Sequence, residues 1–237
     1  MEQIKTTFKR CELKYVINEN QKALFLENIT PHIVPDKHKQ YTICNLYCDT
    51  PDSRLIRTSI DKPQYKEKIR IRSYGVVDNQ TNVFLELKKK YDGIVYKRRV
   101  TMPCIQAMQY LDQNSNTNCQ IEKEINYFLQ YYKYVKPMMY ISYDREEYFG
   151  KDDSSLRVTF DKNILWRTTD LSLNSEVYGN SLLEPGVCIL EIKCSDSMPL
   201  WLATTLSKYK IYKNSFSKYG NAYRREVEKL MEDKKIG

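Results

Sequence analysis

Apolar and charged residues alternate along much of the chain. In "YKEKIRIRSYG" (65–75) every second residue from Lys66 is basic (Lys66, Lys68, Arg70, Arg72), with Ile69 and Ile71 among the residues between. A strand sends successive side chains to opposite faces, so the pattern predicts a strand with four cations in one row. Similar alternation predicts strands over 8–17, 41–49, 82–90, 94–102, 138–149, 156–166 and 187–195. Helices are predicted for "NENQKALFLENI", capped by Asn18, and for "PDSRLIRTSI", with Pro51 near its start. Helical spacing predicts three more, in "IEKEINYFLQYYKYV", "MPLWLATTLSKY" and the polar C-terminal "SKYGNAYRREVEKLMED". "DQNSNTNCQ" (112–120) reads as a surface loop, and no linker rich in Pro, Gly or Ser divides the chain. The expectation is one α+β domain over residues 1–237, mainly antiparallel sheet.

The hairpin at 82–102 is the sharpest local signal. Asp92-Gly93 between two strand runs predicts a type I′ turn, which sets the register. Lys88 then lies opposite Lys97, and Glu86 opposite Arg99. The lysine pair is a like-charge contact that asks for a negative partner.

Charged residues share one parity in strand after strand: Arg10, Glu12 and Lys14; Tyr143, Arg145 and Glu147; Arg157, Thr159 and Asp161; Glu191 and Lys193. The opposite parity is largely apolar, as in Leu13, Leu85, Leu87, Val158, Phe160, Leu190 and Ile192. A solvated edge strand or the wet face of an ordinary sheet also carries charge. Such faces mix their charges, with Lys and Glu dominant, whereas this face is Arg-rich with one or two carboxylates per strand. Arg's planar fork suits phosphate. A sheet curled into an eight-stranded barrel would gather these rows around a polar lumen wide enough for one threaded polyanion. Glu12, Glu86, Asp161 and Glu191 stand among the cations. Each is either a ligand for Mg²⁺ or Mn²⁺ or a neutralising partner for a neighbouring Arg or Lys, with Glu191 the first choice for metal.

Composition narrows the partners. The formal charge of +8 favours anions, and 20 Tyr against 7 Phe suits partly wet walls. Two histidines, His32 and His38, argue against a His-based metal site or triad. Seven cysteines without a CxxC, an N-terminus lacking an apolar core and no long apolar run predict a reduced, cytoplasmic chain without a transmembrane segment. The absence of a Walker A pattern argues against a P-loop enzyme. A nucleic-acid binder fits the charge, but the cations sit at strand parity among carboxylates and no recognition motif appears, so no nucleic acid is expected.

"ELKY" (12–15), "NLYCDTPD" (45–52), "KIRIRSYG" (68–75), "FLELKKK" (84–90), "YKRRV" (96–100), "YDREEYFG" (143–150), "LRVTFD" (156–161), "LEIK" (190–193) and "FSKYGNAY" (216–223) follow in order. As an ordered set over residues 8–223 they resemble the VTC domain, the polyphosphate polymerase domain of the triphosphate tunnel metalloenzyme (CYTH-like) superfamily. The resemblance implies an eight-stranded antiparallel tunnel barrel with flanking helices. It also implies binding of ATP or triphosphate and inorganic polyphosphate with Mn²⁺ or Mg²⁺, and transfer of the γ-phosphate of ATP to a polyphosphate chain. Carried over by motif, Lys14, Arg70, Arg72, Tyr143, Arg145, Ser217 and Lys218 contact phosphate and Glu191 binds metal. Arg70, Arg72, Arg145 and Lys218 would have the catalytic roles. Lys68 is their neighbour, and Lys88, Arg99, Arg157 and Lys193 fit the same face as further phosphate ligands. The superfamily's first-strand ExExK is here "RCELK", with Arg10 at the first glutamate, which suits the VTC branch better than a two-metal hydrolase. The chain looks like the stand-alone bacterial type, for which the resemblance leaves open a separate membrane protein partner. A tripolyphosphatase or NTP phosphohydrolase, and a non-catalytic polyphosphate-binding module, remain alternatives.

Overall fold

A computed structural model describes residues 11–112, 119–195 and 197–236. Its strands are β1 (Cys11–Asn18), β2 (Ile33–Asp49), β3 (Tyr65–Tyr74), β4 (Asn82–Tyr91), β5 (Ile94–Pro103), β6 (Lys136–Gly150), β7 (Arg157–Arg167), β8 (Asn180–Ser181) and β9 (Val187–Cys194). Its helices are α1 (Glu19–Ile29), α2 (Arg54–Ile60), α3 (Cys104–Tyr110), α4 (Gln120–Tyr132), α5 (Leu200–Lys208) and α6 (Lys218–Ile236). The strand order is β1-β9-β7-β6-β2-β3-β4-β5, with β8 pairing β7 off this path. The expected eight strands therefore form the path, and β8 makes nine. The order is open: β1 and β5 are its ends among the described residues, so a closed barrel is not shown. Arg10 and residues 113–118 of the expected loop lie outside the described residues.

The chain divides into two compact units. One comprises the residues up to Tyr41 with 143–163 and 183–216; the other comprises 42–142, 164–182 and the residues from Ser217 on. In the first, β9 lies between β1 and β7. Leu13 faces Ile192, which faces Val158, and Tyr15 faces Leu190, which faces Phe160. This apolar parity is buried with Phe25 and Ile29 of α1 and Leu202 and Leu206 of α5. In the second unit, Ile69, Ile71, Leu85 and Leu87 of β3 and β4 form the core with Cys104 and Ala107 of α3 and Ile125 and Phe128 of α4. In both units the helices cover the apolar parity and the opposite parity keeps the charges.

Local chemistry explains most boundaries. Asn18 caps α1 in a reciprocal capping box with Gln21. Asp92 and Gly93 adopt φ of 45° and 81°, as a type I′ turn requires, and Lys88↔Lys97 and Glu86↔Arg99 pair in the expected register. Three elements depart from expectation. Strand β2 begins at Ile33, eight residues early, because its polar first half, "IVPDKHKQ", has no alternating apolar signal. Helix α3 was not predicted, being two turns long, although Cys104, Ala107 and Tyr110 are buried along it. Strand β8 is two polar residues. Cysteines 44, 48, 104, 188 and 194 are buried thiols. Among the described residues no helix is long and apolar enough to cross a membrane.

Removing the cap, Asn18→Ala, should lower stability by about 1 kcal/mol, read as a lower urea midpoint at unchanged m-value.

Candidate phosphate-binding site

In the second unit the charged parity forms two adjacent cross-strand rows, Lys68–Lys88–Lys97 and Arg70–Glu86–Arg99. Glu86 is buried at their centre. Its Oε2 accepts from Arg70 Nε at 2.8 Å and Nη2 at 2.7 Å, with Arg72 Nε at 3.8 Å. Its Oε1 takes Arg99 Nε at 2.8 Å and Lys97 Nζ at 2.7 Å. Burial alone would raise the Glu86 pKa; Arg70, Arg72 and Lys97 overcome it and hold the carboxyl well below its ordinary range. Lys97 is lowered to about 8, first by burial and then by Arg70 and Arg72, against the pull of Glu86.

Two further chains of contacts hold these cations. Arg72 Nε donates to Asn45 Oδ1 at 3.1 Å, and Asn45 Nδ2 donates to the Ile141 carbonyl at 3.0 Å. Arg70 Nη1 donates to the Tyr47 hydroxyl at 3.0 Å, and the Tyr47 ring stacks on Tyr219 with centroids 4.7 Å apart. The Tyr219 hydroxyl donates to Asp49 Oδ2 at 3.0 Å. Asp49 is fully buried and also accepts from the Leu55 and Ile56 amides at the start of α2. Ser217 Oγ accepts from the Gly220 amide, capping α6, and from Lys68 Nζ at 3.1 Å. The cap places Lys218 at the first position of that helix, where it is buried.

In the first unit the charged rows are Glu12–Lys193–Arg157 and Lys14–Glu191–Thr159. Lys14 Nζ lies 3.4 Å from Glu12 Oε1 and 3.5 Å from Glu191 Oε2, and Lys193 Nζ lies 2.6 Å from Glu191 Oε1. Arg145 makes a fork with Asp161 at 2.7 and 2.8 Å, and its guanidinium lies 5.3 Å from the Tyr143 ring centroid. Burial disfavours the Arg145 charge, but Tyr143, Asp161 and Glu191 keep it protonated well above its ordinary range. Arg157 pairs with Glu147, which also takes the Tyr41 hydroxyl. Arg157 Nε and Thr159 Oγ1 are buried with no hydrogen-bond partner among the described residues.

Each expected site residue thus falls on the charged parity or at the head of α6. Lys68, Arg70, Arg72, Glu86, Lys88, Arg99, Ser217 and Lys218 lie in one unit; Glu12, Lys14, Tyr143, Arg145, Arg157, Asp161, Glu191 and Lys193 lie in the other. All four expected carboxylates have cationic neighbours: Glu86 and Asp161 pair with guanidinium groups, Glu12 and Glu191 with lysines. Among the described residues no three His, Cys, Asp or Glu side chains gather as a metal cluster. Glu12 and Glu191, both beside Lys14, fit a divalent ion held by one or two carboxylates together with substrate phosphate. Asn45, Tyr47, Asp49, Lys97 and Tyr219 were not expected as site residues. The alternation Asn45, Tyr47, Asp49 on the polar parity of β2 is the signal that points to the first three.

A protein-family comparison matches the VTC domain to residues 9–226. The chain belongs to the VTC-domain family. No curated protein matches it. Among solved structures, a candidate adenylate cyclase from Vibrio parahaemolyticus superposes with TM-score 0.52 at 10% identity, covering 92% of this chain and 98% of its own. One from Bacillus halodurans gives 0.52 at 13%, covering 87% and 92%. A candidate adenylyl cyclase from Hippeastrum, described as having a dominant triphosphatase activity, gives 0.53 at 17%, covering 88% and 92%. At these identities the likeness shows a shared fold alone. The VTC match spans every charged residue named above.

Two outcomes follow from the Glu86 and Asp49 contacts. Glu86→Gln should cost about 3 kcal/mol, the lower end for breaking a buried pair, because Lys97 and Arg99 reach water. Unfolded, Glu86 titrates near 4.5; folded, it titrates lower. Its stabilisation is therefore complete above 4.5 and lost as pH falls through the folded value. Melting curves should show a constant wild-type advantage from neutrality to about pH 5, shrinking in stronger acid; an advantage that grows in acid would contradict the assignment. Tyr219→Phe should lose about 1 kcal/mol in denaturant melts by removing one hydrogen bond to buried Asp49.

Proposed function

We propose that this VTC-domain protein is a polyphosphate polymerase. The observation that carries the reading is the concentration of cations around few carboxylates. Arg70, Arg72, Lys97 and Arg99 place four positive charges against the single charge of Glu86. These cations stand on paired strands, a surface suited to an anion with several charges. The unpartnered Arg157 Nε and Thr159 Oγ1 add buried polar atoms that a phosphate oxygen or water satisfies. The proposal includes the closed eight-stranded tunnel that the family implies.

In the proposed reaction a terminal oxygen of the polyphosphate chain attacks the γ-phosphorus of ATP, the bond to the β-phosphate oxygen breaks, and ADP leaves. The attacking phosphate is already ionised at neutral pH, so no general base is needed, which agrees with a chain holding two histidines. Phosphoryl transfer depends mainly on alignment and charge stabilisation. Arg70, Arg72 and Arg145 hold the transferring phosphoryl. Lys218 and Ser217, at the N-terminus of α6, take a terminal phosphate, helped by the helix's exposed amides. Lys14, Lys68, Lys88, Arg99, Tyr143, Arg157 and Lys193 hold the remaining phosphates. Glu12 and Glu191 would hold Mn²⁺ or Mg²⁺, which when bound neutralises phosphate charge. This reading assigns the protein to the cytoplasm.

Purified protein given ATP and Mn²⁺ should make long polyphosphate and ADP. Free phosphate without polymer would make it a triphosphatase, and binding without turnover a binding module. Arg70→Ala and Glu191→Ala should each lower turnover by about 100-fold or more; unchanged turnover in both would sink the site assignment. Triphosphate at 100 times its Kd should stabilise the fold by about 2.7 kcal/mol, read as a higher melting temperature.

A further inference from the structure

The end of the β4–β5 hairpin carries an apolar row that the proposed phosphate chemistry does not use. Tyr65, Tyr91 and Ile94 are cross-strand partners on β3, β4 and β5, on the parity that elsewhere forms the core. Here the three side chains are 44%, 52% and 51% exposed. Tyr96, two residues further along β5, shares the face and is also exposed. Helix α4 extends the patch with Tyr127 and Tyr131, one turn apart, exposed to 67% and 56% and within electrostatic reach of Tyr65. Single exposed apolar residues are ordinary, but a contiguous set marks an interaction surface.

The opposite parity at the same strand ends is cationic. Lys66 pairs across with Lys90, next to the row of Lys68, Lys88 and Lys97 already placed in the candidate site. Burial first, then the repulsion of Lys90, Lys62 and Lys88, lowers the Lys66 pKa, and its Nζ donates to the Ser59 carbonyl at 3.2 Å. The acids nearby are few: Glu67 lies 3.7 Å from Lys89, Glu124 takes Arg98 at 2.9 Å, and Asp92 sits in the turn. Because the turn has two residues, both parities end at one narrow edge.

We propose that this hairpin end is a peripheral contact for an anionic phospholipid surface. The ring face also carries Lys89, two residues before Tyr91, and a bilayer approached by the edge meets it together with the rings and with Lys66 and Lys90 of the opposite face. Tyrosine rings settle at headgroup depth with their hydroxyls in water, and Ile94 reaches the acyl boundary. Lysine stems lie along the apolar region and bring their ammonium groups to lipid phosphates. The charge complementarity selects an anionic surface, and the few apolar side chains make the contact reversible.

Co-sedimentation of the full chain with vesicles tests this without ATP or metal, so it stands apart from the polymerase reading. The chain should pellet with phosphatidylcholine–phosphatidylserine vesicles, release with added salt, and stay soluble with phosphatidylcholine alone. The double variant Y91S/I94S keeps every lysine and should lose at least tenfold in vesicle affinity while retaining the wild-type melting shift with triphosphate. Ile94→Ser alone serves if the double variant is unstable. K62E/K90E should lose binding to a similar degree. Absence of binding to the anionic vesicles, equal binding to both vesicles, or undiminished binding by the Tyr91 and Ile94 variants overturns the proposal. A dimer in solution that Y91S/I94S dissolves would instead assign the patch to a second copy of the chain.

Discussion

Glu86 holds the charged face of the second unit together. Four cations converge on one buried carboxylate, and without it Arg70, Arg72, Lys97 and Arg99 would repel one another across neighbouring strands. A buried carboxylate in that position is costly unless paired, and the arginines are costly unless neutralised; each makes the other tolerable. The arrangement holds the guanidinium groups in place around the carboxylate. The proposed phosphate chemistry would use cations held in this way.

The first unit solves the same problem with different residues. Asp161 takes the Arg145 fork, and Glu191 stands between Lys14 and Lys193. Glu191 takes two cations and Glu86 four, whereas Asp161 and Glu147 each take one guanidinium, all on the parity opposite the core. The core parity has the opposite task. Its Leu, Ile, Val and Phe side chains fill the space under α1 and α5 or under α3 and α4, and they fix the register on which the charged rows depend. A one-residue slip would move every cation into the core.

At the hairpin end the core parity also reaches the surface. Tyr91 and Ile94 continue it along β4 and β5 and are half exposed, as Lys90 continues the charged parity. The same alternation that separates core from charged face sets an apolar row and a basic row side by side at one edge.

The strands and their charged parity were legible in the sequence because strand periodicity is local: Lys66 to Arg72 share a face wherever the strand lies. The Asp92-Gly93 turn likewise determined that Glu86 meets Arg99 and Lys88 meets Lys97, since two residues allow one register. Capping by Asn18 was local as well. The first half of β2 was hidden because its residues are polar and exposed, held in the strand without an apolar face. Only the tertiary structure decided which cations meet each carboxylate: Arg70, Arg72, Lys97 and Arg99 at Glu86, Arg145 at Asp161, Lys14 at Glu12, and Lys14 with Lys193 at Glu191. The contact of Asp49 with Tyr219 joins residues 170 positions apart. No local pattern encodes such a pair, because chain folding, not spacing along the strand, brings the buried carboxylate to its phenol.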